Sequence, residues 1–343
     1  MKNLIENGAE VFYAGHYFPN DIKLSGTLKA GRKYYRPQKL IRFIKENKID
    51  IVLIVTTAGL WLVPFLRIFT SAKIGCDFHS VLVEEEKVYN NTIWPVYIFN
   101  KYLEFLFCLF LHFAVGVCQR LGDYYNGFIE SYHVFTVGVD LSAFNPSVSP
   151  NEEIIKWKED SILIGYAGNT KWYQGIDTVL SALSKLNKEK RGLFKLLIIA
   201  SSLEPSILKY IEENNLKDLV YLPGKQLHEK IPSLLASADI LTIVRPSDRV
   251  TEYSWPSKLS EHLALGKPLI VSRVGDVSRF IVHGKSGEII PPSDVSALCR
   301  VLVSLTDQNL RKKLGESAWK LAKEKFEINS VGKEFYNFLL AQL

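Results

Sequence analysis

Short apolar runs alternate with amphipathic segments along the whole chain. In the first half, Glu10–Ala14, Ile51–Val55, Ala72–Cys76, Phe113–Val117 and His133–Thr136 read as strands, being compact, apolar and rich in β-branched or aromatic residues. A 3.6-residue period fills Gln38–Glu46, Leu60–Phe69, Pro95–Leu111 and Gln119–Ile129 and predicts helices there. The pattern lapses from about Asp140 to Asp160, where Phe144-Asn145-Pro146-Ser147-Val148-Ser149-Pro150-Asn151 reads as a linker.

A second series then begins. Its strands are Ile162–Tyr166, Lys195–Ala200, Val220–Leu222, Ile240–Val244, Pro268–Ser272 and Gly287–Ile290. Its helices are Ile176–Leu186, Glu204–Asn214, Ile231–Ala236, Lys258–Leu265, Asp294–Thr306 and Asn309–Lys325, with one more amphipathic helix over Ser330–Leu343. Strands that alternate with helices predict the α/β class with parallel sheets. The expected plan is two Rossmann-like domains, 1–150 and 151–325, and a terminal helix in 326–343 packing back toward the first domain. Ligands of open parallel sheets bind outside the carboxyl ends of the strands, so chemistry is expected in a cleft where two such halves face each other.

Composition agrees with this plan. A chain of 343 residues makes two domains at roughly 100–200 residues each. With 47% hydrophobic and 23% charged residues, it can bury large cores and is not a disordered chain. The net charge of +6 is too diffuse to argue for nucleic acid. Charge is concentrated locally: Lys29, Arg32, Lys33, Arg36, Lys39, Arg42, Lys45 and Lys48 have only Glu46 among them. That stretch reads either as a solvated face or as a patch for anionic lipid or an acceptor phosphate.

Cys76, Cys108, Cys118 and Cys299 sit in apolar runs without metal-ligand spacing and read as reduced core residues. Met1 leads straight into Lys2 and Asn3, which is not the pattern of a secretory leader. A cytoplasmic setting is therefore expected, with peripheral attachment to the inner face of the membrane. The run Leu103–Cys118 contains Glu104 and His112 and is shorter than the roughly 20 residues that span a bilayer. It reads as a buried helix ending near Leu111 followed by a strand, while Trp94, Tyr97 and Phe99 are suited to shallow contact with an interface.

The most informative stretch is YSWPSKLSEHLALGKPLIVS, Tyr253–Ser272. Pro256 suits a helix start, Ser257 and Lys258 fall in a first turn that favours anions, and Glu261 follows within a turn. One cation and one carboxylate so spaced suit a ligand with a diphosphate and a ribose. The plainer alternative is an ordinary α/β unit punctuated by Pro and Gly.

This stretch resembles the donor-site motif of the retaining GT-B glycosyltransferases of family 4, also called glycosyl transferases group 1, in the form P-S-K-x-x-E-x-L-A-x-G-K-P. The resemblance implies that Glu261 binds the ribose hydroxyls and that Ser257, Lys258 and Leu259 line the donor site. The family's fuller motif has a second glutamate before it, which falls here on Tyr253, next to Glu252; this departure concerns the donor sugar hydroxyls. IGYAGNTKWYQGID, Ile164–Asp177, resembles the family's strand, loop and helix at the start of its second domain. Gly168 there permits close backbone approach, and Asn169 and Gln174 stand where the family carries Arg and Lys. Lys171 and Lys258 are the candidates to supply the missing charge, Lys171 being otherwise a surface lysine of a polar loop. Gly224, in Leu222-Pro223-Gly224-Lys225, matches the strand end beside the nucleotide base, and Gly275 a loop that contacts the donor; Gly284 and Gly287 read as turn glycines.

In the first half, Asp77-Phe78-His79-Ser80 resembles a strand end whose histidine lies near the transferred sugar, although a structural histidine is the alternative. Glu84-Glu85-Glu86 reads as a solvated face, one member of which is available to an acceptor. Val137-Gly138-Val139-Asp140 with Phe144 and Pro146 resembles the family's hinge signature. Gly8-Ala9-Glu10-Val11 matches a turn that in the family follows the first strand and its glycine-rich loop, so the natural protein is expected to begin upstream, or the sequence to be a fragment.

The resemblance implies sugar transfer with retention from a UDP- or GDP-sugar to a glycan or lipid-linked acceptor, in surface polysaccharide or glycoconjugate synthesis. His79, Lys258 and Glu261 are the expected catalytic residues. No cofactor, metal or nucleic acid is expected. A GT-B subunit that binds a nucleotide-sugar or a partner without turnover is the competing reading. An epimerase or phosphorylase of the same architecture is the other, the latter requiring a pyridoxal lysine site that the sequence does not identify.

Overall fold

The computed structural model describes residues 2–15, 24–29 and 36–343. Arg32 and Lys33 of the basic stretch lie outside the described residues. The chain forms two compact units, Met1–Thr136 with Asn329–Leu343, and Val137–Ile328. The segment after Thr136 joins the second unit through paired backbone bonds, from Val139 N–H to the Phe326 carbonyl (2.7 Å) and from Ile328 N–H to the Val139 carbonyl (3.1 Å). Of the segment read as a linker, Phe144 is buried, and Asn151 caps a helix, Glu152–Lys158, that the sequence pattern did not reveal.

The strands are β1 Phe12–Gly15, β2 Gly26–Lys29, β3 Ile51–Val55, β4 Lys73–Phe78, β5 Phe113–Gly116 and β6 Tyr132–Val134. They continue with β7 Ile162–Ala167, β8 Phe194–Ile199, β9 Val220–Tyr221, β10 Ile240–Ile243, β11 Leu269–Ser272 and β12 Glu288–Ile290. In the first unit, β3-β4-β5-β6 form a four-stranded parallel sheet and β1-β2 a separate parallel pair. Strand β2 had no sequence signal, because Gly26-Thr27-Leu28-Lys29 has no apolar run. The expected helix Leu60–Phe69 is instead a 3-10 turn, Thr57–Leu62, followed by an α-helix, Val63–Phe69. Pro64 explains the break, since proline suits the first turn of a helix and not its interior. The terminal helix Ile328–Leu340 packs onto the first unit, with Phe338 against Phe113 and His133, and Phe335 against Phe135.

The second unit holds a six-stranded parallel sheet in the order β12-β11-β10-β7-β8-β9. Strands β8, β10 and β11 are buried throughout, as both faces of a parallel sheet require. Helices Ile176–Glu189 and Val295–Ser304 pack on the sheet through Val179, Leu183, Leu298 and Leu302. From β7 the chain winds outward through β8 and β9, then returns to the other side of β7 for β10, β11 and β12. The sense of winding therefore reverses between β7 and β10. At such a switch point the connections leave in opposite directions and open a crevice beyond the strand ends.

Candidate active site

The residues that follow β7 and β10 converge at this switch point. Gly168 has φ +144°, and a Cβ there would lie 2.1 Å from Lys258 Nζ. Gly175 has φ +72°, and a Cβ there would lie 1.8 Å from the Val244 carbonyl oxygen. Each glycine removes a side chain where another group already stands. The loop between them can therefore press against the end of β10, with Trp172–Gln174 forming a single 3-10 turn.

Lys258 opens the helix Lys258–Ala264. Its Nζ donates to the Tyr166 hydroxyl (3.0 Å) and to Gln174 Oε1 (3.4 Å), and stands 4.3 Å from the centre of the Tyr166 ring. Tyr166 donates its own hydroxyl hydrogen to the Asn169 carbonyl. An ammonium has three hydrogens, so one remains for a ligand after these two bonds. Burial pushes Lys258 down to about 7, the Arg245 charge acts in the same direction, and Glu261 opposes both. Burial raises the Glu261 carboxyl above the usual range, against the charges of His228 and Lys258.

Arg245 is 7% exposed and donates to the Ser254 carbonyl (3.2 Å) and Ser254 Oγ (2.7 Å). Lys258 and Arg245 raise each other's cost of remaining charged, and an anion within reach of both lowers that cost. His262, one residue after Glu261, is fully buried with neither ring nitrogen hydrogen-bonded, and burial pushes it down to about 3, so it is neutral.

Other expected donor residues are distributed around this centre. Ser257 is exposed just before the helix, in helical conformation, and its side chain caps nothing. Leu259 is buried in the core, and its N–H is bonded to the Pro256 carbonyl (2.8 Å), so it supports the helix from within. Asn169 Oδ1 accepts from Lys171 N–H (3.2 Å), while Lys171 itself is exposed and its side chain makes no bond among the described residues. Lys258, not Lys171, is the cation seated at Gly168. Gly275 donates its N–H to Glu252 Oε2 (2.9 Å), and Glu252 also accepts from the Ser247 hydroxyl. Tyr253 closes the adjacent 3-10 turn, Thr251–Tyr253. Gly224, at φ +72°, follows β9 on the edge of the sheet, two strands from β7.

In the first unit, His79 follows the carboxyl end of β4 and is bonded to Asp77 Oδ2 at 3.0 Å; that bond raises its pKa. The acidic run beyond it is not the solvated face the sequence suggested. Glu84 is 3% exposed and accepts from Tyr97 (2.7 Å), Lys101 (3.0 Å) and Tyr124 (3.1 Å). The helix Leu82–Tyr89 turns this one carboxylate inward. All four cysteines are free and buried. Among the described residues, no group of three or more His, Cys, Asp or Glu side chains has the arrangement of a metal site.

Tyr166, Arg245 and His228 belong to the electrostatic environment of Lys258 and Glu261 and escaped the sequence reading. Tyr166 reads from the sequence only as a strand residue, although it is the penultimate residue of β7 and stands two residues before Gly168. Arg245 directly follows an apolar run, a position that a parallel sheet makes ligand-facing.

A family model described as glycosyl transferases group 1 matches residues 149–321. Over 210 residues the chain is 29% identical to the MMP alpha-(1->4)-mannosyltransferase of Mycolicibacterium hassiacum, a match taking in 60% of this chain and 47% of that protein. The chain thus spans about half the length of the first curated relatives it matches. Its fold is similar to that of sucrose-phosphate synthase from Thermosynechococcus elongatus, with TM-score 0.77 and 17% identity, covering 99% of this chain and 92% of the other. It is also similar to Anabaena Alr3699/HepE in complex with UDP-glucose, with TM-score 0.71 and 14% identity over 94% and 86% of the two chains.

Proposed function

The chain belongs to the glycosyl transferases group 1 family, and from that premise we propose that it moves a sugar from a nucleotide-sugar to a glycan or lipid-linked acceptor with retention at the anomeric carbon. The observation that carries this reading is the seat of Lys258, against Gly168, bonded to Tyr166 and Gln174, beside Arg245 and one turn before Glu261. A cation held at the mouth of a parallel sheet with a carboxylate beside it suits a diphosphate joined to a ribose. UDP-sugars are the first donors to try, since HepE, of similar fold, binds UDP-glucose.

In the proposed reaction the bond from the anomeric carbon to the donor phosphate oxygen breaks, and a bond to an acceptor hydroxyl oxygen forms on the same face. The acceptor proton passes to the departing phosphate. Lys258, with Arg245 behind it, stabilises the charge that develops on that phosphate. Glu261 holds the ribose, Gly168, Asn169, Gln174 and Gly275 border the donor, and His79 serves the transferred sugar through a hydrogen bond. The products belong to surface polysaccharide or glycoconjugate synthesis at the inner face of the membrane.

Binding without turnover is the second reading. It is favoured by Asn169 and Gln174 in place of cations and by the Gly275 N–H already being bonded to Glu252. Purified protein is to be incubated with UDP-glucose and GDP-mannose, and release of the nucleoside diphosphate and donor binding both measured. Turnover that disappears in Lys258→Ala supports transfer. Tight binding with no release supports the second reading. Equal binding by wild type and a Lys258→Ala/Glu261→Ala variant overturns both.

A further inference from the structure

The helix Trp94–Cys108 has its polarity reversed. Its inner face carries Tyr97, Lys101, Glu104 and Cys108, with Lys101 bonded to Glu84 and Tyr125 donating to Glu104. Its outer face carries Ile98, Phe99 and Tyr102, each about 60% exposed, with Trp94 and Leu109 exposed at its two ends. The sequence suggested a buried helix because apolar residues surround it; in fact only Tyr97, Glu104 and Cys108 are buried. Its two charged residues, Lys101 and Glu104, both lie on the inner side, so the face toward solvent has no charge of its own. A helix in water places its charges the other way round.

Apolar side chains are also exposed on a nearby helix. The 3-10 turn Thr57–Leu62 packs against both it and the helix Val63–Phe69, which exposes Phe65, Ile68 and Phe69 around Arg67. The neighbouring helix Pro37–Glu46 and its flanks expose Arg36, Lys39, Lys45 and Lys48, none with an ion-pair partner among the described residues. Lys87 Nζ lies 5.1 Å from the centre of the Trp94 ring. Exposed apolar side chains gathered on neighbouring elements mark a docking site.

We propose that this face of the first unit rests on an anionic lipid bilayer, with the helix Trp94–Cys108 lying in the headgroup layer and the helix Pro37–Glu46 held to it by charge. Fifteen residues rise about 22 Å, short of the roughly 30 Å hydrocarbon core, so the helix lies on the surface and does not cross it. Exposed aromatic and aliphatic side chains flanked by Lys and Arg are the chemistry of interfacial helices. A two-fold pairing of chains through this face would bring like-charged helices toward each other, which disfavours a second copy as the occupant. The inference rests on the surface of the first unit alone and is independent of the sugar chemistry.

The test is co-sedimentation of the purified full chain with phosphatidylglycerol/phosphatidylcholine vesicles and with pure phosphatidylcholine vesicles. The wild type is expected to sediment with the anionic vesicles. Ile98→Ser/Phe99→Ser/Tyr102→Ser is expected to lower the partition coefficient at least about tenfold, because it removes the inserted apolar area. Lys39→Glu/Lys45→Glu is expected to remove the preference for phosphatidylglycerol. Both variants should keep the wild-type melting temperature and UDP-glucose binding. Absence of wild-type sedimentation, or equal sedimentation of the serine variant, overturns the proposal. So does a lipid-free wild-type dimer that the serine substitutions dissociate, since the face would then join two copies.

Discussion

The ammonium of Lys258 occupies the space that any side chain at Gly168 would need: a Cβ built on Gly168 falls 2.1 Å from Nζ. Gly168→Ala is therefore expected to displace the amine from Tyr166 and Gln174 and to weaken donor binding about tenfold, or 1.4 kcal/mol. The strained backbone at φ +144° adds a stability cost of about 1–3 kcal/mol, which thermal unfolding reads separately. Isothermal titration of Gly168→Ala, Lys258→Ala and the double variant checks the coupling. The two losses should fall well short of additive, because both remove the same seated charge.

Lys258 makes donor binding depend on pH. Its pKa in the free protein is pushed down to about 7, and a bound diphosphate favours the protonated form. Above pH 7 the free protein must take up a proton to bind donor, so affinity should fall by about tenfold per pH unit toward pH 9. The dependence should vanish in Lys258→Met, which also binds donor at least about 30-fold more weakly, as expected for loss of a charged hydrogen bond. The sign for stability is opposite. A lysine whose folded pKa is lowered makes the free protein more stable as pH rises from 7 toward the unfolded value, and Lys258→Met should lose that rise.

In the proposed donor site, Glu261, one turn after Lys258, holds the ribose. Glu261→Ala should weaken UDP-glucose binding by about 10-fold to 100-fold, the range for a hydrogen bond to a charged group. The 2′-deoxy analogue of the same donor should bind wild type more weakly and should lose little more on substitution. Equal losses for the two donors would assign Glu261 a structural role instead.

Glu84 and Glu104, the two carboxylates on the inner side of the helix Trp94–Cys108, titrate in opposite senses. Burial acts to raise Glu84, but hydrogen bonds from Tyr97, Lys101 and Tyr124 and the Lys101 charge together hold it below the usual range. Its stabilising contribution is present at neutral pH and is lost as pH falls through its folded pKa. Burial pushes Glu104 up to about 7, so its contribution falls as pH rises from about 4.5 to about 7. Glu104→Gln should abolish that fall, while Glu84→Ala should cost about 1–3 kcal/mol by leaving the buried Tyr97 hydroxyl without its acceptor. Chemical denaturation at pH 5, 7 and 8 checks both.

The strands of the six-stranded sheet were legible within a residue or two, because a sheet buried on both faces writes itself as continuous apolar runs such as Ile240–Ile243 and Leu269–Ser272. The helix bearing Lys258 and Glu261 was legible because Pro256 and Gly266 punctuate it. Tyr166 was not, since nothing in a strand pattern shows that the hydroxyl of this buried residue reaches Lys258. Glu84 was hidden among three consecutive glutamates, whose periodicity does not say which one turns inward. The reversed helix was misread because apolar composition alone cannot distinguish a side chain facing protein from one facing another apolar medium.

The division of the chain has a consequence for truncation. Residues 137–328 are one uninterrupted piece, whereas the first unit is assembled from both ends of the sequence. A stop codon just after Ile328 would spare the six-stranded sheet and strip Phe335 and Phe338 from the aromatic cluster around Phe113, His133 and Phe135. Damage within residues 329–343 would then surface as a defect of the part translated earlier, which cannot be completed until those residues have been synthesised.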